Sequence, residues 1–338
     1  MLDSVRQRSR SADVRDGKGF HITGMGLAGC CLAWRLAERG VDFRWSDHRH
    51  DGAATPVAAG LINPVTGKNF QPSWRIDEFM PEALAFFRQV EDALDYRLWH
   101  PMPVVRWVTE RDWAKVAGKL ERPEVVPWVE GVEENVGDWR AAVTLRGGGR
   151  FDTRAFRELT MERFQDRRAT DLGCPTEALI RCEGYVGLVA GRMGEHRCAK
   201  GEILTIAVRD IDEGRIQIGR GGWLVPLGGG LFKAGATYEW DDLDGRPTAT
   251  GRTRVEEILA VLGVRDYEVV RHEAGVRPIV RRSQPLIGRL DDGSMVFNGL
   301  GSKGSLYAPG VSEMLADCLV EGAEIEPDFD VRGFLRKR

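Results

Sequence analysis

The sequence predicts an α/β protein in which a Rossmann-like dinucleotide-binding domain is interleaved with an antiparallel β-sheet domain. Three observations lead there. Gly24-Met25-Gly26-Leu27-Ala28-Gly29 lies between a short β-rich run and an amphipathic stretch, and Asp47 closes the unit. Residues 100–150 and 202–239 are β-rich and broken by turn signals. Near the C-terminus, Val296-Phe297-Asn298 runs into Gly299-Leu300-Gly301-Ser302-Lys303-Gly304 and then a helical pattern, a second strand–Gly loop–helix unit.

The first unit reads as Phe20 to Thr23 in a strand, then a glycine turn. In G-x-G-x-x-G units the first glycine makes the tight turn, the second lets the backbone approach a pyrophosphate, and the third lets helix and strand pack closely. Here these are Gly24, Gly26 and Gly29. A helix is expected from about Cys30 to Arg39, with Leu32, Ala33, Leu36 and Ala37 at helical spacing and Gly40 beyond its end. Its N-terminus offers unpaired N–H groups to phosphates. Val41, Phe43 and Trp45 alternate as in a strand, and Asp47 stands near the roughly 20-residue offset of a ribose-binding carboxylate.

Residues 52–72 are small, apolar and proline-bearing, a loop costly in water unless it covers something flat. Residues 77–95 predict a helix with Phe79, Leu84, Phe86, Phe87, Val90 and Leu94 on its apolar face. Asp152 is read as the N-cap of another helix, Ala178 to Glu183 as a short strand, residues 249–262 as a helix, and Pro309 to Val320 as the last helix. The expected division is a tail at 1–18, a dinucleotide-binding domain from 19–76, 150–200 and 273–338, and a substrate domain from 77–149 and 201–272.

A length of 338 residues allows a large core without disulfides. The net charge of −3 provides no basic field for nucleic acid or a membrane surface. No apolar run approaches the ~20 residues that span a bilayer. Cys30, Cys31, Cys174, Cys182, Cys198 and Cys318 form no C-x-x-C pair, and the six histidines no metal cluster, so reduced buried thiols and a cytoplasmic location are expected. Residues 1–18 lack an apolar h-region and carry Asp3, Asp13 and Asp16, which argues against a signal or transit peptide and for a disordered tail or an upstream start site. Strand–Gly loop–helix units near both ends suit a long cofactor held from two sides, as a flavin dinucleotide is.

At this point the chain resembles the D-amino-acid oxidase superfamily of flavoproteins, glycine oxidases in particular. It is also similar to the oxidase domain of the bifunctional tRNA wobble-uridine modifying enzyme. Five segments carry the likeness: Gly24 to Asp47; Ala54 to Pro64; Lys200-Gly201-Glu202-Ile203-Leu204; Gly235-Ala236-Thr237; and Ala274-Gly275-Val276-Arg277-Pro278 with Pro285-Leu286-Ile287-Gly288 and the loop from Gly299 to Pro309. They fall in family order across residues 19–325.

The resemblance implies FAD bound in a glutathione-reductase-type domain, and oxidation of an amine carbon by hydride transfer to flavin N5. Ile279 follows Pro278 where some relatives carry a flavin-linked Cys, so noncovalent FAD is expected. By position, Leu27, Ala28, Asp47 and His48 contact the ADP half, and Ala54, Thr55, Ala59, Gly60 and Leu61 line pyrophosphate and flavin. Leu300, Gly301, Ser302, Lys303, Gly304, Ser305 and Leu306 lie against the ring, and Glu183 with Gly184 approaches the cofactor. Arg277 binds the substrate carboxylate through its planar fork. Lys303 either stabilises the reduced ring or meets substrate, and Trp223 and Tyr238 are pocket residues or packing. Some glycine oxidases place an Arg where Ser302 stands, which puts glycine itself in doubt as substrate. The family's FAD contact around 165–180 has no counterpart that can be placed.

The leading expectation is an FAD-dependent amine or amino-acid oxidase or dehydrogenase. Its partners are a small carboxylate-bearing amine and O2 or another electron acceptor, without a membrane span or nucleic acid, and self-association is left open. The alternatives are removal of a carboxymethyl group from a modified nucleotide, and a non-catalytic FAD-binding subunit of a heteromeric dehydrogenase. A nicotinamide dehydrogenase is opposed by the second Gly loop.

Overall fold

A computed structural model describes residues 19–67, 69–169, 178–281 and 284–335. The expected tail at 1–18, Cys174 and the stretch 170–177 lie outside the described residues. The chain opens with β1 (Phe20–Thr23), α1 (Leu27–Glu38), β2 (Phe43–Ser46), α2 (Ala54–Val57), β3 (Leu61–Ile62), β4 (Val65–Thr66), β5 (Gln71–Pro72) and α3 (Ile76–Leu94). It continues through β6 (Trp99–Pro101), β7 (Val104–Val108), α4 (Glu110–Leu120), β8 (Val129–Val136), β9 (Trp139–Leu145), β10 (Gly149–Phe151), α5 (Thr153–Arg163), β11 (Ala178–Arg181) and α6 (Gly184–Val189). The remainder is β12 (Ala199–Val208), β13 (Ile216–Gly219), β14 (Gly222–Gly228), β15 (Leu231–Gly235), α7 (Ala249–Val261), β16 (Tyr267–Arg277), β17 (Leu286–Arg289), β18 (Met295–Asn298), α8 (Gly304–Glu321) and α9 (Val331–Leu335).

Two large sheets organise these elements. The first runs β17-β18-β11-β1-β2. Its inner strands pair in parallel, and β17 adds antiparallel at one edge. Parallel strands require crossover connections, which cover the sheet with helices. The second sheet runs β16-β12-β15-β14-β13-β7-β9-β8 and is antiparallel except where β13 meets β7. The two sheets correspond to the dinucleotide-binding and antiparallel parts read from the sequence.

α1 sits at the centre of the first layer. Ten of its residues, Leu27 to Leu36, are buried. Full burial of a side chain such as Leu32 or Leu36 is worth roughly 1.5–3 kcal/mol. Trp34 Nε1 donates to Thr160 Oγ1 at 2.9 Å and Trp45 Nε1 to the Phe164 carbonyl at 2.7 Å, so α5 and its exit are tied to this layer. As expected, Asp152 caps α5, its carboxylate accepting from the Ala155 N–H.

Four expectations need correction. α4 occupies residues within the stretch read as β-rich, so Trp113 belongs to a helix. Residues 52–72 are not one open loop, since α2 and three short strands form there. α8 begins at Gly304 and carries Pro309 inside it, rather than starting at Pro309. α3, expected in the substrate domain, packs into the first layer instead, where Phe79, Phe86 and Phe87 join the core that holds α1 and α8.

Candidate active site

A cavity of about 520 Å³ runs along the carboxyl ends of β1, β2, β11 and β18 and reaches the second sheet. This is where open parallel sheets bind ligands, and the volume lies within the usual range of roughly 300–1,000 Å³ for such sites. It is lined by Gly24, Gly26, Leu27, Ala28, Asp47 and His48. Ala54, Thr55, Ala59, Gly60, Leu61, Glu183 and Gly184 add to its wall. Trp223, Tyr238, Arg277, Leu300, Gly301, Ser302, Gly304 and Ser305 line it as well, and Gly304 lies close to Leu27.

The glycine turn has the geometry the motif requires. Gly24 has φ +94°, and a Cβ there would lie 2.4 Å from the Cys182 carbonyl oxygen. A Cβ at Gly29 would lie 2.0 Å from the Gly24 carbonyl oxygen. Gly29 therefore does not line the cavity; it lets α1 close against the turn. Gly29→Ala should lose several kcal/mol of stability, read as a lower midpoint in urea with FAD retained poorly. An unchanged midpoint contradicts that close approach.

Gly26 begins α1 with no side-chain cap, and the first helical N–H, that of Leu27, is taken at 2.9 Å by Thr55 Oγ1. The sequence placed Thr55 against a cofactor, and it also serves as the helix's outside cap.

Asp47 carries a partner that the sequence did not reveal. Arg157 of α5 contacts it at 2.5 Å and donates from Nε to the Met25 carbonyl at 2.9 Å. No motif marks Arg157, which lies 110 residues away in sequence. Glu183 is also engaged, accepting from Arg181 at 3.1 Å and Arg192 at 3.0 Å.

Arg277 is held differently. Its Nη1 donates to the Thr237 carbonyl at 3.1 Å, and its guanidinium carbon stands 4.0 Å from the Tyr238 ring centroid. Among the described residues, no carboxylate forms an ion pair with it. Burial pushes its pKa below the usual arginine range. Gly201 lies beneath it, and a Cβ there would come within 2.3 Å of Nη2 and 2.5 Å of Nη1. The guanidinium therefore occupies the volume that a side chain at residue 201 would take.

Lys303 departs from expectation. Ser302 and Gly304 line the cavity, but Lys303 and Leu306 do not. The Lys303 ammonium turns to Thr66 Oγ1 at 3.0 Å, and burial lowers its pKa.

Lys233 supports the cavity wall from behind. Its Nζ donates to the Val57 and Ala58 carbonyls at 2.7 and 2.9 Å, at the end of α2. Burial lowers its pKa from 10.5 to about 8. Below pH 8 both folded and unfolded chains hold the proton, and folding bears the cost of the buried charge. Between pH 8 and 10.5 the unfolded chain alone holds it, so stability rises by on the order of 3 kcal/mol across that window. Urea stability of wild type relative to Lys233→Met should climb over the same window; parallel profiles contradict this.

The described cysteines are unpaired. Cys30, Cys31, Cys182 and Cys198 are buried, and burial raises their pKa values. Among the described residues there is no group of three or more potential metal ligands, and no helix is long and apolar enough to cross a membrane.

The family model "DAO: FAD dependent oxidoreductase" matches residues 21–318, and the chain belongs to this family. It is similar to the tRNA 5-methylaminomethyl-2-thiouridine biosynthesis bifunctional protein MnmC of Methylibium petroleiphilum, at 24% identity over 93% of this chain. The chain spans only 59% of that relative's length. It is 22% identical to the uncharacterized oxidoreductase YurR of Bacillus subtilis, covering 92% of this chain and 97% of that one. Among solved structures it resembles glycine oxidase from Bacillus cereus, with TM-score 0.76, 16% identity and coverage of 91% and 96% of the two chains. It also resembles iminodiacetate oxidase from Chelativorans sp., with TM-score 0.74, 19% identity and the same coverages.

The cofactor of the family is FAD, and the residues present suit it. A bare glycine turn, the start of α1 and Asp47 line a cavity whose wall at 54–61 is largely apolar. The protein is accordingly an FAD-dependent oxidoreductase by family.

Proposed function

We propose that the chain oxidises the C–N bond of an amino acid or secondary amine that bears a carboxylate. One observation carries this reading: a guanidinium without an acid partner lines the FAD cavity, braced by Thr237, Tyr238 and Gly201. A half-buried charge without a counter-ion is costly in proportion to its desolvation, and a carboxylate ligand supplies the missing one in two charge-assisted hydrogen bonds. The names of two structural neighbours, oxidases of iminodiacetate and of glycine, agree with a small carboxylated amine.

FAD, bound noncovalently in this reading, supplies the acceptor for a hydride from the carbon that carries nitrogen. The chain's own residues bind and orient. Arg277 fixes the carboxylate, and Trp223 and Tyr238 confine the carbon beside it. The two acids that line the cavity, Asp47 and Glu183, are engaged elsewhere by Arg157, Arg181 and Arg192. No cavity-lining carboxylate among the described residues is therefore left to hold an ammonium, and the amine binds in its neutral form. The imine that results is hydrolysed by water.

Anaerobic bleaching of the bound flavin by glycine, sarcosine, iminodiacetate and D- and L-amino acids tests this directly. Bleaching by at least one carboxylated amine is expected, and its rate should rise with pH as the free amine deprotonates. A flavin that no member of the panel reduces contradicts the reading and favours a non-catalytic FAD subunit.

A second substrate reading, loss of a carboxymethyl group from a modified nucleotide, draws support from the tRNA-modification relative and from two exposed aromatic rings. Tyr238 and Trp240 are 44% and 56% exposed, with ring centroids 5.8 Å apart. A carboxymethylaminomethyl nucleoside belongs in the same panel for that reason.

A further inference from the structure

We infer that Lys200 is a positioning residue for substrate recognition: it clamps the segment from Thr237 to Thr248, which holds Arg277 in place. The inference rests on the carboxylate-binding reading of Arg277.

The argument starts from strand alternation. Successive residues of a strand face opposite sides. On β12, Gly201 and Ile203 line the cavity, and Gly201 seats the guanidinium. Lys200 and Glu202 do not line it, yet both are buried, at 1% and 3% exposure. A buried lysine or glutamate needs partners, and both find them in one segment, with His272 Nε2 of β16 a further partner of Glu202 at 2.8 Å. Lys200 Nζ contacts Asp242 Oδ2 at 2.6 Å and Asp244 Oδ1 at 3.0 Å. Glu202 accepts from the Thr248 N–H and hydroxyl, both at 2.8 Å. The backbone joins the same clamp. Lys200 and Glu239 exchange N–H···O bonds of 2.7 and 3.0 Å, and the Glu202 N–H donates to Thr237 Oγ1 at 2.9 Å. Gly245 closes the far side, where a Cβ would fall 2.4 Å from Gly52 Cα.

What this segment carries explains the clamp. The Thr237 carbonyl holds Arg277 Nη1, and the Tyr238 ring lies against the guanidinium. Both are uncharged contacts, which orient the fork without neutralising it. If the segment drifts, Arg277 loses its two orienting contacts while keeping its charge. Lys200 thus acts on the substrate through Arg277, not by touching it.

The test uses the FAD-loaded enzyme and acetate as a simple carboxylate probe. Binding is read at equilibrium by calorimetry and by perturbation of the flavin spectrum. Lys200→Met should raise the acetate dissociation constant at least tenfold, with FAD affinity changed less than twofold, and Lys200→Arg should restore most of the loss. Because Lys200→Met cuts a buried group, Asp242→Asn/Asp244→Asn provides a second route through exposed positions and should weaken acetate in the same direction. A purely structural role for Lys200 shifts the melting temperature and leaves acetate within twofold of wild type, which overturns the inference. Arg277→Met separates the two levels. If wild type binds no acetate, or binds it equally well without Arg277, the carboxylate reading fails and the clamp falls with it. If acetate depends on Arg277 but ignores Lys200 and the two aspartates, only the clamp fails.

Discussion

Arg277→Met should lose on the order of 10²–10⁴ in kcat/KM toward the carboxylated amine while keeping FAD bound. The size follows from the bonds removed. A hydrogen bond to a charged group contributes about 1.5–3 kcal/mol, and a two-pronged guanidinium–carboxylate contact contains two. That sum, roughly 3–6 kcal/mol, sets the fold-loss through the tenfold-per-1.4 kcal/mol relation. Folding should survive, because Arg277 has no acid partner to strand and its contacts are one carbonyl and one ring face. Stopped-flow reduction and the visible flavin spectrum check both halves. A variant that reduces normally removes Arg277 from substrate binding.

Gly201→Ala should approach the same loss although residue 201 carries no functional group. Its new Cβ would stand 2.3–2.5 Å from three atoms of the guanidinium, separations that force movement. The atoms met belong to the end of a flexible side chain, so the arginine moves and the strand does not. The cost therefore appears in substrate affinity, not in stability. KM for the amine should rise tenfold or more, with a urea midpoint close to wild type. A large fall in stability with normal KM shows instead that β12 deformed and Arg277 stayed.

Much of this site was legible in the chain because backbone requirements leave marks. Gly24 and Gly29 stand where a tight turn and a helix in close contact tolerate no Cβ, and Asp152 sits where a helix needs an outside acceptor. Partners set by tertiary contact left none. Arg157 reaches Asp47 from a helix that is remote in sequence, and nothing local distinguishes it from other arginines of α5. Gly201 belongs to a family-like segment, and the guanidinium lying over it is the reason for a glycine there.

The errors have physical causes as well. α4 carries helix signals, Glu110 and Asp112 in its first turn after Thr109, but it lies inside the β-rich stretch 100–150. Trp107 and Trp139 of that stretch do lie on strands, stacked at 6.0 Å, while Trp113 belongs to the helix. The first turn of α8 lies inside a glycine loop, so the helix starts five residues before Pro309, the position the sequence pattern suggests. Lys303 shares that loop with cavity residues, but at the helix start its side chain turns away to Thr66.

The central claim is that a fixed guanidinium beside the FAD cavity selects amines by their carboxylate. The most direct measurement takes the amine that bleaches the flavin fastest and compares it anaerobically with its own uncharged amide. The carboxylate form should reduce the flavin at least 100-fold faster than the amide in wild type, and the gap should shrink to within a few-fold in Arg277→Met. Equal rates for acid and amide in wild type contradict the claim.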